Sequence, residues 1–403
     1  MSRMPSLVVV MNEPCLPAIN GGRIDMWTRH KALKDCGCRL MLVTWLPVNR
    51  VDGPPMAELR EVFDEIHIYP ITQSARALAY RLLALPMYSP HVSTRILGKQ
   101  TLRELVRAST QFRADAVWLD GLYGGHTAVK LAKTLSKPLY YRAHNVEYSY
   151  MRSQAAAAYR PRDKFAWNLA ALGLRRFEEE IQRSSSHVFN ISRDDIEFWK
   201  KRGLQNAIWL PTTLQMDAQE THSRDYFDRS WDLVYVGNLR SPNNFVGLDW
   251  FVRKVLPIVR LDRPNIRVCI AGSNPTEEIR ALLSQATGID LMENPENAFS
   301  LWREGRVLIN PILTGSGINV KSVEMLFFDA HLITTNVGAR GLPPHVRDEF
   351  LIADTPELFA QEIITKLSTP FVAESLRPVA RQEFGNTRIR ALIESISEDC
   401  FER

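Results

Sequence analysis

The sequence NPILTGSGINVKSVE, residues 310–324, joins three local patterns. An apolar strand ends at Asn310, a loop with two glycines follows, and a helical pattern begins after the loop. On that helix Lys321 and Glu324 lie three residues apart, at the edge of the apolar face. The lysine suits a diphosphate, and the glutamate can accept hydrogen bonds from both hydroxyls of a ribose. The alternative is a surface ion pair, but the glycine loop favours a binding site.

The glycine loop differs from two common nucleotide-binding motifs. A Walker loop requires Gly-Lys followed by Ser or Thr, which this loop lacks. The dinucleotide fingerprint would place glycine or alanine at position 320, where Val320 stands. The loop is therefore neither a Walker loop nor a dinucleotide fingerprint.

Strand-length and helix-length patterns alternate on both sides of this loop, which is typical of parallel sheets covered on both faces. In the second half the predicted strands are Asp232–Val236, Arg267–Ala271, Ile289–Met292, Arg306–Asn310 and His331–Thr334. The predicted helices there are Asn243–Pro257, Thr276–Gln285, Ala298–Arg303, Asn319–Phe328, Pro356–Leu367, Ala373–Phe384 and Thr387–Arg403.

The first half shows the same alternation. Its predicted strands are Leu7–Met11, Leu40–Thr44, Glu65–Tyr69, Ala114–Leu119, Pro138–Arg142 and His187–Asn190. A long helix is predicted around Asp163–Arg183. The fold class is therefore α/β, with two Rossmann-like doubly wound domains of parallel sheet facing across a cleft.

The polar, aperiodic segment 211–230 separates the two halves and predicts a linker. We expect a first domain over residues 1–210, a second over 231–385, and a C-terminal helix over 386–403 that packs back across the junction. Residues 1–210 carry 30 basic and 19 acidic side chains, whereas residues 211–403 carry 20 and 26. This opposite balance predicts different partners for the two domains.

Composition excludes several classes of protein. The chain has 403 residues, 45% of them hydrophobic, which suffices for two cores without a disulfide or metal. No apolar run approaches ~18 residues, the length of a membrane span. The run Leu7–Met11 is too short for a signal peptide, and the five cysteines contain no Cys-x-x-Cys pair. We expect a cytoplasmic protein with reduced thiols.

Two segments of the first half carry candidate functional residues. Gly21, Gly22 and Arg23 lie in the loop after the first strand, where glycine backbone and a helix N-terminus favour an anion; the alternative is an ordinary turn. Asp120 and His144 each follow a predicted strand, at the edge where doubly wound sheets bind ligands. His144 is a candidate general base or hydroxyl-binding group, and helix capping is the alternative for Asp120.

The second half opens with a similar arrangement. Strand, glycine, polar loop and helix follow one another at Gly237, Asn238 and Arg240, which predicts an anion site with Arg240 as a charged donor. Gly272 and Asn294 are further candidates for the same site.

With these residues the chain resembles glycosyltransferases of the GT-B fold, above all the retaining nucleotide-sugar transferases of family 4 (glycosyl transferases group 1). The resemblance rests on GNLRSPNN (237–244), on the 310–324 stretch and on TTNVGARGL (334–342). It implies an acceptor site in the first domain and a nucleotide-sugar site in the second.

Two departures from the family pattern affect the donor site. Ser316 stands where the family often has a glutamate that contacts the transferred sugar, so backbone amides of Gly315, Ser316 and Gly317 are expected to bind it. The usual basic pair falls near Asn238 and Asn244, which leaves Arg240 and Lys321 to neutralise the diphosphate.

The resemblance implies transfer of a sugar from a nucleoside-diphosphate sugar to a saccharide, with retention of the anomeric configuration. We expect no metal, because no metal-ligand cluster stands out in the sequence, and no other cofactor. Asp120 and His144 are the expected catalytic residues. A nucleotide-sugar epimerase of the same fold and a non-catalytic nucleotide-sugar-binding scaffold are the alternatives.

The segment between Glu65 and Glu104 has no acidic residue but contains Arg76, Arg81, Arg95, Lys99 and Arg103 among apolar side chains. Such a segment is suited to an anionic membrane surface, which predicts a lipid-linked saccharide acceptor at the inner face of the cell membrane. The alternative is a solvated basic face. Nucleic acid is not an expected partner, since no recognition motif is present.

Overall fold

The computed structural model divides into two compact units, Met1–Thr213 with Asn386–Arg403, and Leu214–Gly385. The residues that it describes are 3–18, 21–48, 53–71, 83, 88–157, 161–214, 225–315, 318–371, 377, 382–385 and 387–401. The predicted linker 211–230 therefore lies partly outside the described residues, as does most of the predicted helix Ala373–Phe384.

The first unit is built on a seven-stranded parallel sheet. Its strands are β1 (Ser6–Met11), β2 (Arg39–Pro47), β3 (Glu65–Ile71), β4 (Ala116–Asp120), β5 (Leu139–Ala143), β6 (His187–Asn190) and β7 (Ala207–Trp209). The strand order is β3-β2-β1-β4-β5-β6-β7, so the chain direction across the sheet reverses between β1 and β4. The carboxyl ends of these two strands are the place where a doubly wound sheet binds its ligand.

The helices of the first unit cover both faces of this sheet. They are α1 (Gly21–Asp35), α2 (Met56–Val62), α3 (Pro90–Ser93), α4 (Lys99–Gln111), α5 (Gly125–Leu135), α6 (Glu147–Ala157), α7 (Pro161–Ala171), α8 (Leu174–Ser184) and α9 (Arg193–Lys200). The prediction of one long helix over Asp163–Arg183 is wrong. Gly173 has a φ of 71°, in the left-handed region, and this backbone reversal separates α7 from α8.

The second unit has a six-stranded parallel sheet. Its strands are β8 (Trp231–Val236), β9 (Val268–Gly272), β10 (Ile289–Glu293), β11 (Gly305–Asn310), β12 (His331–Thr334) and β13 (Leu351–Ile352). Its helices are α10 (Pro242–Trp250), α11 (Leu256–Asp262), α12 (Glu277–Ser284), α13 (Ala298–Arg303), α14 (Val320–Met325), α15 (Pro344–Arg347) and α16 (Pro356–Leu367). The order β10-β9-β8-β11-β12-β13 places the reversal between β8 and β11.

The first helix of this unit continues past its predicted end at Pro257. A π-helical turn, Phe251–Val255, joins α10 to α11. Proline lacks the N–H that an α-helix requires, and a wider turn is a common way to accommodate it. The predicted apolar stripe of this helix is confirmed, because Leu248, Val252 and Val259 are all buried.

Each unit has its own apolar core. In the first unit two clusters of buried side chains cover the two faces of the sheet. The C-terminal helix α17 (Thr387–Phe401) belongs to this unit, and its Ile389, Leu392, Ile393 and Ile396 are buried in one of those clusters. The two parallel sheets with covering helices confirm the predicted α/β class. Within the described residues, no helix combines the length and the apolar character that crossing a bilayer requires.

Candidate functional site

Asp120 ends strand β4 and is fully buried at the carboxyl edge of the first sheet. Its Oδ2 accepts a hydrogen bond from Arg29 Nη2 at 2.5 Å, and its Oδ1 lies 2.6 Å from His144 Nε2. His144 follows β5, the strand that pairs with β4. The structure thus brings together the two residues that the sequence suggested as catalytic.

Arg29 belongs to a buried network of charges. It lies on α1 one turn after Asp25, and its Nη1 donates to Asp25 Oδ2 at 2.5 Å. Arg142 of β5 donates to the same oxygen at 3.2 Å and also to the carbonyl oxygens of Leu210 and Pro211. Including Asp120, two carboxylates and two guanidinium groups balance one another inside the first unit.

This network fixes the charge of its members. Burial alone would raise the pKa of Asp120, but the Arg29 guanidinium and the hydrogen bond from His144 hold that pKa well below its ordinary value. Burial would also raise the pKa of Asp25, but the charge of the neighbouring Arg29 outweighs burial and lowers that pKa. Burial lowers the pKa of neighbouring His30 to about 4, so this imidazole is neutral. Asp120 is therefore a permanent anion near neutral pH.

The charge of Asp120 also determines the tautomer of His144. An ionised carboxylate can only accept a hydrogen bond, so His144 donates through its Nε2–H, and in the neutral form of this imidazole the lone pair is on Nδ1. The side chain of His144 is 14% exposed, whereas Asp120 is not exposed at all. The neutral imidazole of His144 can therefore accept a hydrogen bond only through Nδ1.

The glycine loop before α1 places Gly21 and Gly22 in the first turn of that helix. Arg23, the charged member of the predicted loop, is buried and donates to both carboxylate oxygens of Glu13 and to the carbonyl oxygen of Pro17. The loop therefore lies at a helix N-terminus, but Arg23 is hydrogen-bonded to other residues of the protein.

The basic segment is described only in part, since Arg76 and Arg81 lie outside the described residues. Arg95 is half-buried, and its Nε donates to the carbonyl oxygen of Asn12 at 2.8 Å. Lys99 and Arg103 are exposed on α4. Arg95 therefore fastens one loop of the first unit to another, and only the two residues on α4 are available to an external partner within the described part of the segment.

In the second unit, Lys321 lies in the first turn of α14 and is buried. Its Nζ donates to Tyr235 Oη at 2.6 Å and to Asn244 Oδ1 at 3.2 Å, and lies 3.9 Å from the centroid of the Tyr235 ring. Tyr235 is on β8 and α14 follows β11, so this ammonium group occupies the point where the strand order reverses.

Both ionisable groups of α14 have strongly shifted pKa values. Burial lowers the pKa of Lys321 to about 7, against the attraction of Glu324. Burial raises the pKa of Glu324 to about 7, against the attraction of Lys321. Among the described residues, neither group has an ionised hydrogen-bond partner of the kind that Asp120 has in the first unit, and pKa values shifted in this way are common at functional sites.

The ends of β8, β9 and β10 lie side by side at this site. A Cβ on Gly272 would lie 1.6 Å from the carbonyl oxygen of Gly237, and a Cβ on Gly237 would lie 2.9 Å from Lys321 Cε. The N–H of Asn294 donates to the carbonyl oxygen of Gly272 at 2.9 Å. Three of the predicted donor residues are therefore adjacent, and the glycine backbone approaches the Lys321 side chain closely because no Cβ intervenes.

The turn before α10 contains the remaining donor candidates. The Oδ1 of Asn238 accepts a hydrogen bond from the N–H of Arg240 at 3.0 Å, and the carbonyl oxygen of Asn238 accepts from Asn244 Nδ2 at 2.8 Å. The Arg240 side chain is exposed. Asn244 thus connects this turn to Lys321, while Arg240 remains accessible to a ligand.

The glycine loop itself is described only up to Gly315, because Ser316 and Gly317 lie outside the described residues. The carbonyl oxygen of Gly315 accepts a hydrogen bond from Arg340 Nη1 at 2.9 Å. Arg340 belongs to the TTNVGARGL stretch, so two of the three stretches that carry the resemblance meet here.

Sequence reasoning missed five residues of these sites. Asp25 and Arg29 have the i, i+4 spacing of an ion pair, but spacing does not reveal burial. Arg142 and Tyr235 lie within strand patterns that read as apolar core, and Asn244 was noted only as a departure from the family. Among the residues that the structure describes, no group of three His, Cys, Asp or Glu side chains is placed to hold a metal ion.

Comparison with known proteins bears on the fold and on the family resemblance. Residues 231–369 match the family model described as Glycosyl transferases group 1. A curated relative from Klebsiella pneumoniae, described as an uncharacterized 44.6 kDa protein in the cps region, is 25% identical over 369 residues, or 90% of each chain.

Solved structures of similar fold include HepE from Anabaena in complex with UDP and glucose (TM-score 0.63, 11% identity, 98% of this chain and 100% of that chain). Sucrose-phosphate synthase from Thermosynechococcus elongatus gives a TM-score of 0.68 at 11% identity, covering 99% and 100% of the two chains. TarM from S. aureus, in complex with fondaparinux, α-GlcNAc-glycerol and UDP, gives 0.66 at 9% identity, covering 98% and 100%.

The resemblance inferred from the sequence is therefore confirmed: the chain has the fold of the GT-B glycosyltransferases, and its second unit resembles the glycosyl transferases of group 1.

Proposed function

We propose that the protein is a glycosyltransferase that moves a sugar from a nucleoside-diphosphate sugar to a saccharide acceptor. The observation that carries this proposal is the Lys321 ammonium group beside the Gly237 backbone, at the reversal point of the second sheet. The whole of that site falls within the region that resembles group 1 glycosyl transferases. The uridine nucleotides bound by HepE and TarM favour a uridine donor here.

Charge development explains the role of each donor residue. When the bond between the anomeric carbon and the phosphate oxygen breaks, its electron pair remains on the departing nucleoside diphosphate. Lys321 and Arg240 stabilise that negative charge, and Glu324 accepts hydrogen bonds from the ribose hydroxyls. These protein cations make a divalent metal unnecessary in the mechanism that we propose. Activity that EDTA abolishes and Mg²⁺ restores would contradict this part of the proposal.

The first unit supplies the acceptor side of the reaction. The acceptor hydroxyl oxygen forms the new bond to the anomeric carbon and loses its proton. In the proposed mechanism that proton goes to Nδ1 of neutral His144, since the Nε2–H of this ring is donated to Asp120. We propose retention of anomeric configuration from the family resemblance; an NMR spectrum of the first-formed product tests it.

A lipid-linked saccharide at the inner face of the membrane is the acceptor class that we propose. The basic segment with exposed Lys99 and Arg103 supports it, as does the description of the K. pneumoniae relative as a protein of the cps region. Binding to anionic vesicles that falls after Lys99→Glu and Arg103→Glu is the expected result. Equal binding by the parent to anionic and neutral vesicles would contradict the membrane contact.

A thermal-shift panel of UDP, GDP, ADP, dTDP and CMP with their sugar conjugates tests the donor site. A ligand at 100 times its Kd adds about 2.7 kcal/mol of stability, which gives a measurable shift. We expect one nucleoside diphosphate to stabilise the protein. Incubation with the matching nucleotide sugar alone then separates a transferase from an epimerase, because only the epimerase converts the donor without an acceptor. Binding without transfer or donor hydrolysis would indicate the scaffold.

A further inference from the structure

Helices α6, α7 and α8 of the first unit surround an open cavity of about 460 Å³. Three arginines line it, Arg152 on α6 and Arg175 and Arg176 on α8. Tyr148 and Asn168 are the other polar side chains of its lining, and no described residue of the lining is a carboxylate. The described residues that line the cavity therefore carry a net positive charge.

The three arginines are accessible to a ligand. Arg152 Nη1 donates to Asn168 Oδ1 at 2.7 Å, a neutral partner that orients the guanidinium group. Arg175 pairs with Glu179, but 56% of the Arg175 side chain is exposed, so this pair is weak. Arg176 is exposed and has no ion pair with any residue that the structure describes. Guanidinium groups in such a cluster bind carboxylate or phosphate oxygens in pairs.

One side of the cavity is apolar. Ala171 and Leu172 line it, and Leu172 is half-exposed. Apolar side chains beside arginines suit a ligand that joins an anionic group to a less polar body, such as the face of a sugar ring.

The cavity is fixed in position relative to His144. Tyr148 lies four residues after His144, so their Cα atoms are at most ~14 Å apart. The Glu178 carboxylate of α8 accepts hydrogen bonds from the N–H groups of Glu147 and Tyr148, at 2.9 and 3.2 Å, and so ties the start of α6 to α8. A single ligand of a few sugar units can therefore reach both His144 and the arginines.

We propose that this cavity binds an anionic group of the acceptor, a phosphate or a carboxylate, and thereby selects acidic saccharides over neutral ones. The proposal rests on the proposed function, since it names the chemistry of the acceptor. It assigns Arg152, Arg175 and Arg176 to the anionic group of the acceptor, and Ala171 with Leu172 to the neighbouring sugar or hydrocarbon.

Equilibrium binding of inorganic phosphate, glucuronate and glucose tests the proposal, with sodium chloride keeping the ionic strength constant. Three full-length proteins are compared: the parent, the triple variant Arg152→Gln/Arg175→Gln/Arg176→Gln, and a control. The control, Arg60→Gln/Arg107→Gln/Lys130→Gln, removes the same charge from exposed positions of the same unit. Any anion that binds at the donor site does so equally in all three.

We expect the parent and the control to bind one of the two anions with equal Kd, and the triple variant to bind it at least tenfold more weakly. Preference for phosphate would identify a phosphate-linked acceptor, and preference for glucuronate one that contains uronic acid. Equal binding by all three proteins, or binding of glucose as tight as that of glucuronate and phosphate, would overturn the proposal. If the triple variant fails to fold, Arg176→Gln alone replaces it, because this side chain has no ion pair to lose.

Nucleoside diphosphate binding is measured in the same three proteins. If all three proteins bind the nucleotide equally well and also bind phosphate and glucuronate with equal Kd, the cavity assignment is wrong and the proposed function stands. If the nucleotide binds to none of the three, the proposed function is wrong and this inference falls with it.

Discussion

The two units treat buried charge differently. In the first, Asp25 and Asp120 are hydrogen-bonded to Arg29, and Arg142 adds a second guanidinium group. In the second, the buried ammonium group of Lys321 is hydrogen-bonded only to neutral oxygens among the described residues. Burial accordingly lowers the pKa of Lys321 to about 7. Asp120 stays ionised, because the charge of Arg29 and the hydrogen bond from His144 outweigh the effect of burial on its pKa.

In the first site the charge of Asp120 is therefore set before any ligand binds, whereas in the second we expect the charge of Lys321 to depend on the ligand. The first unit holds Asp120 ionised whether or not substrate is present, and so fixes the tautomer of His144. The second unit holds Lys321 at a pKa where an arriving diphosphate can restore its full charge. We therefore expect mutations in the first network to act on folding and those around Lys321 to act on binding.

The largest effect is expected for Arg29→Met. This change leaves Asp25 and Asp120 buried beside a single guanidinium group, and breaking a buried ion pair from one side costs about 3–5 kcal/mol. The free energy of unfolding, measured with urea, is expected to fall by that amount. The control Arg253→Met removes an exposed i, i+4 pair with Asp249 and is expected to change stability by under ~0.5 kcal/mol. Equal stability of the two variants would show that the network is not stabilising.

The next effect concerns His144→Asn, which removes the basic imidazole together with its hydrogen bond to Asp120 and leaves only a non-basic amide near the position of Nδ1. Loss of a positioned hydroxyl-binding or proton-accepting group lowers kcat by about 100-fold or more. Binding of the nucleoside diphosphate is expected to stay unchanged, since its ligands lie in the second unit. His67→Asn, at a partly exposed imidazole of β3, serves as the control. A kcat within threefold of the parent would exclude His144 from the reaction.

A smaller effect is expected for Glu324→Gln. The carboxylate accepts from two ribose hydroxyls in our proposal, and hydrogen bonds to charged groups contribute about 1.5–3 kcal/mol each. The Kd for the nucleoside diphosphate should rise by about 10- to 100-fold, as measured by calorimetry. Glu296→Gln, at an exposed position of the same unit, should bind as the parent does. Pyrophosphate, which has no ribose, should bind to Glu324→Gln and to the parent with the same Kd.

The smallest effect is expected for Gly237→Ala. The new Cβ would lie 2.8 Å from Tyr235 Oη and 2.9 Å from Lys321 Cε, the far ends of two side chains rather than backbone, so the ammonium group and its hydrogen bond shift while the fold remains intact. We expect nucleotide affinity to fall a few-fold with an unchanged unfolding temperature. Gly272→Ala is the contrasting change, because its Cβ would lie 1.6 Å from a backbone oxygen and the protein is expected to lose stability instead. A stability loss as large in Gly237→Ala would refute this distinction.

Most of the fold could be predicted from the sequence because its strands are buried apolar runs bounded by polar loops. The missed strands, β7 and β13, have only three and two residues, too few to show a period. The break between α7 and α8 depends on Gly173, and a lone glycine in a helical pattern does not reveal whether its φ is positive.

The candidate sites could be predicted only where chemistry and position coincide in sequence. Asp120 and His144 each follow a strand, and Lys321 follows a glycine loop, so topology alone places them at sheet edges. Arg29 reaches Asp120 across 91 positions of sequence and Lys321 reaches Tyr235 across 86, separations at which local pattern carries no information. The pKa values of these groups depend on such distant contacts, which the sequence does not reveal.

The most direct test of the contrast between the two units is the number of protons taken up when the nucleoside diphosphate binds at pH 8. Calorimetry in two buffers of different ionisation enthalpy gives this number, and the phosphate, with a second pKa near 6, is already deprotonated there. With a free-protein pKa of about 7, Lys321 is mostly neutral at pH 8, and the bound diphosphate raises its pKa.

We predict uptake of about one proton per bound diphosphate by the parent, and a Kd that rises by up to about tenfold per pH unit above pH 7. The Lys321→Arg variant, whose guanidinium group is always charged, should bind without proton uptake. Equal proton uptake by both proteins, or no uptake by the parent, would contradict the proposal that Lys321 becomes protonated when the donor diphosphate binds.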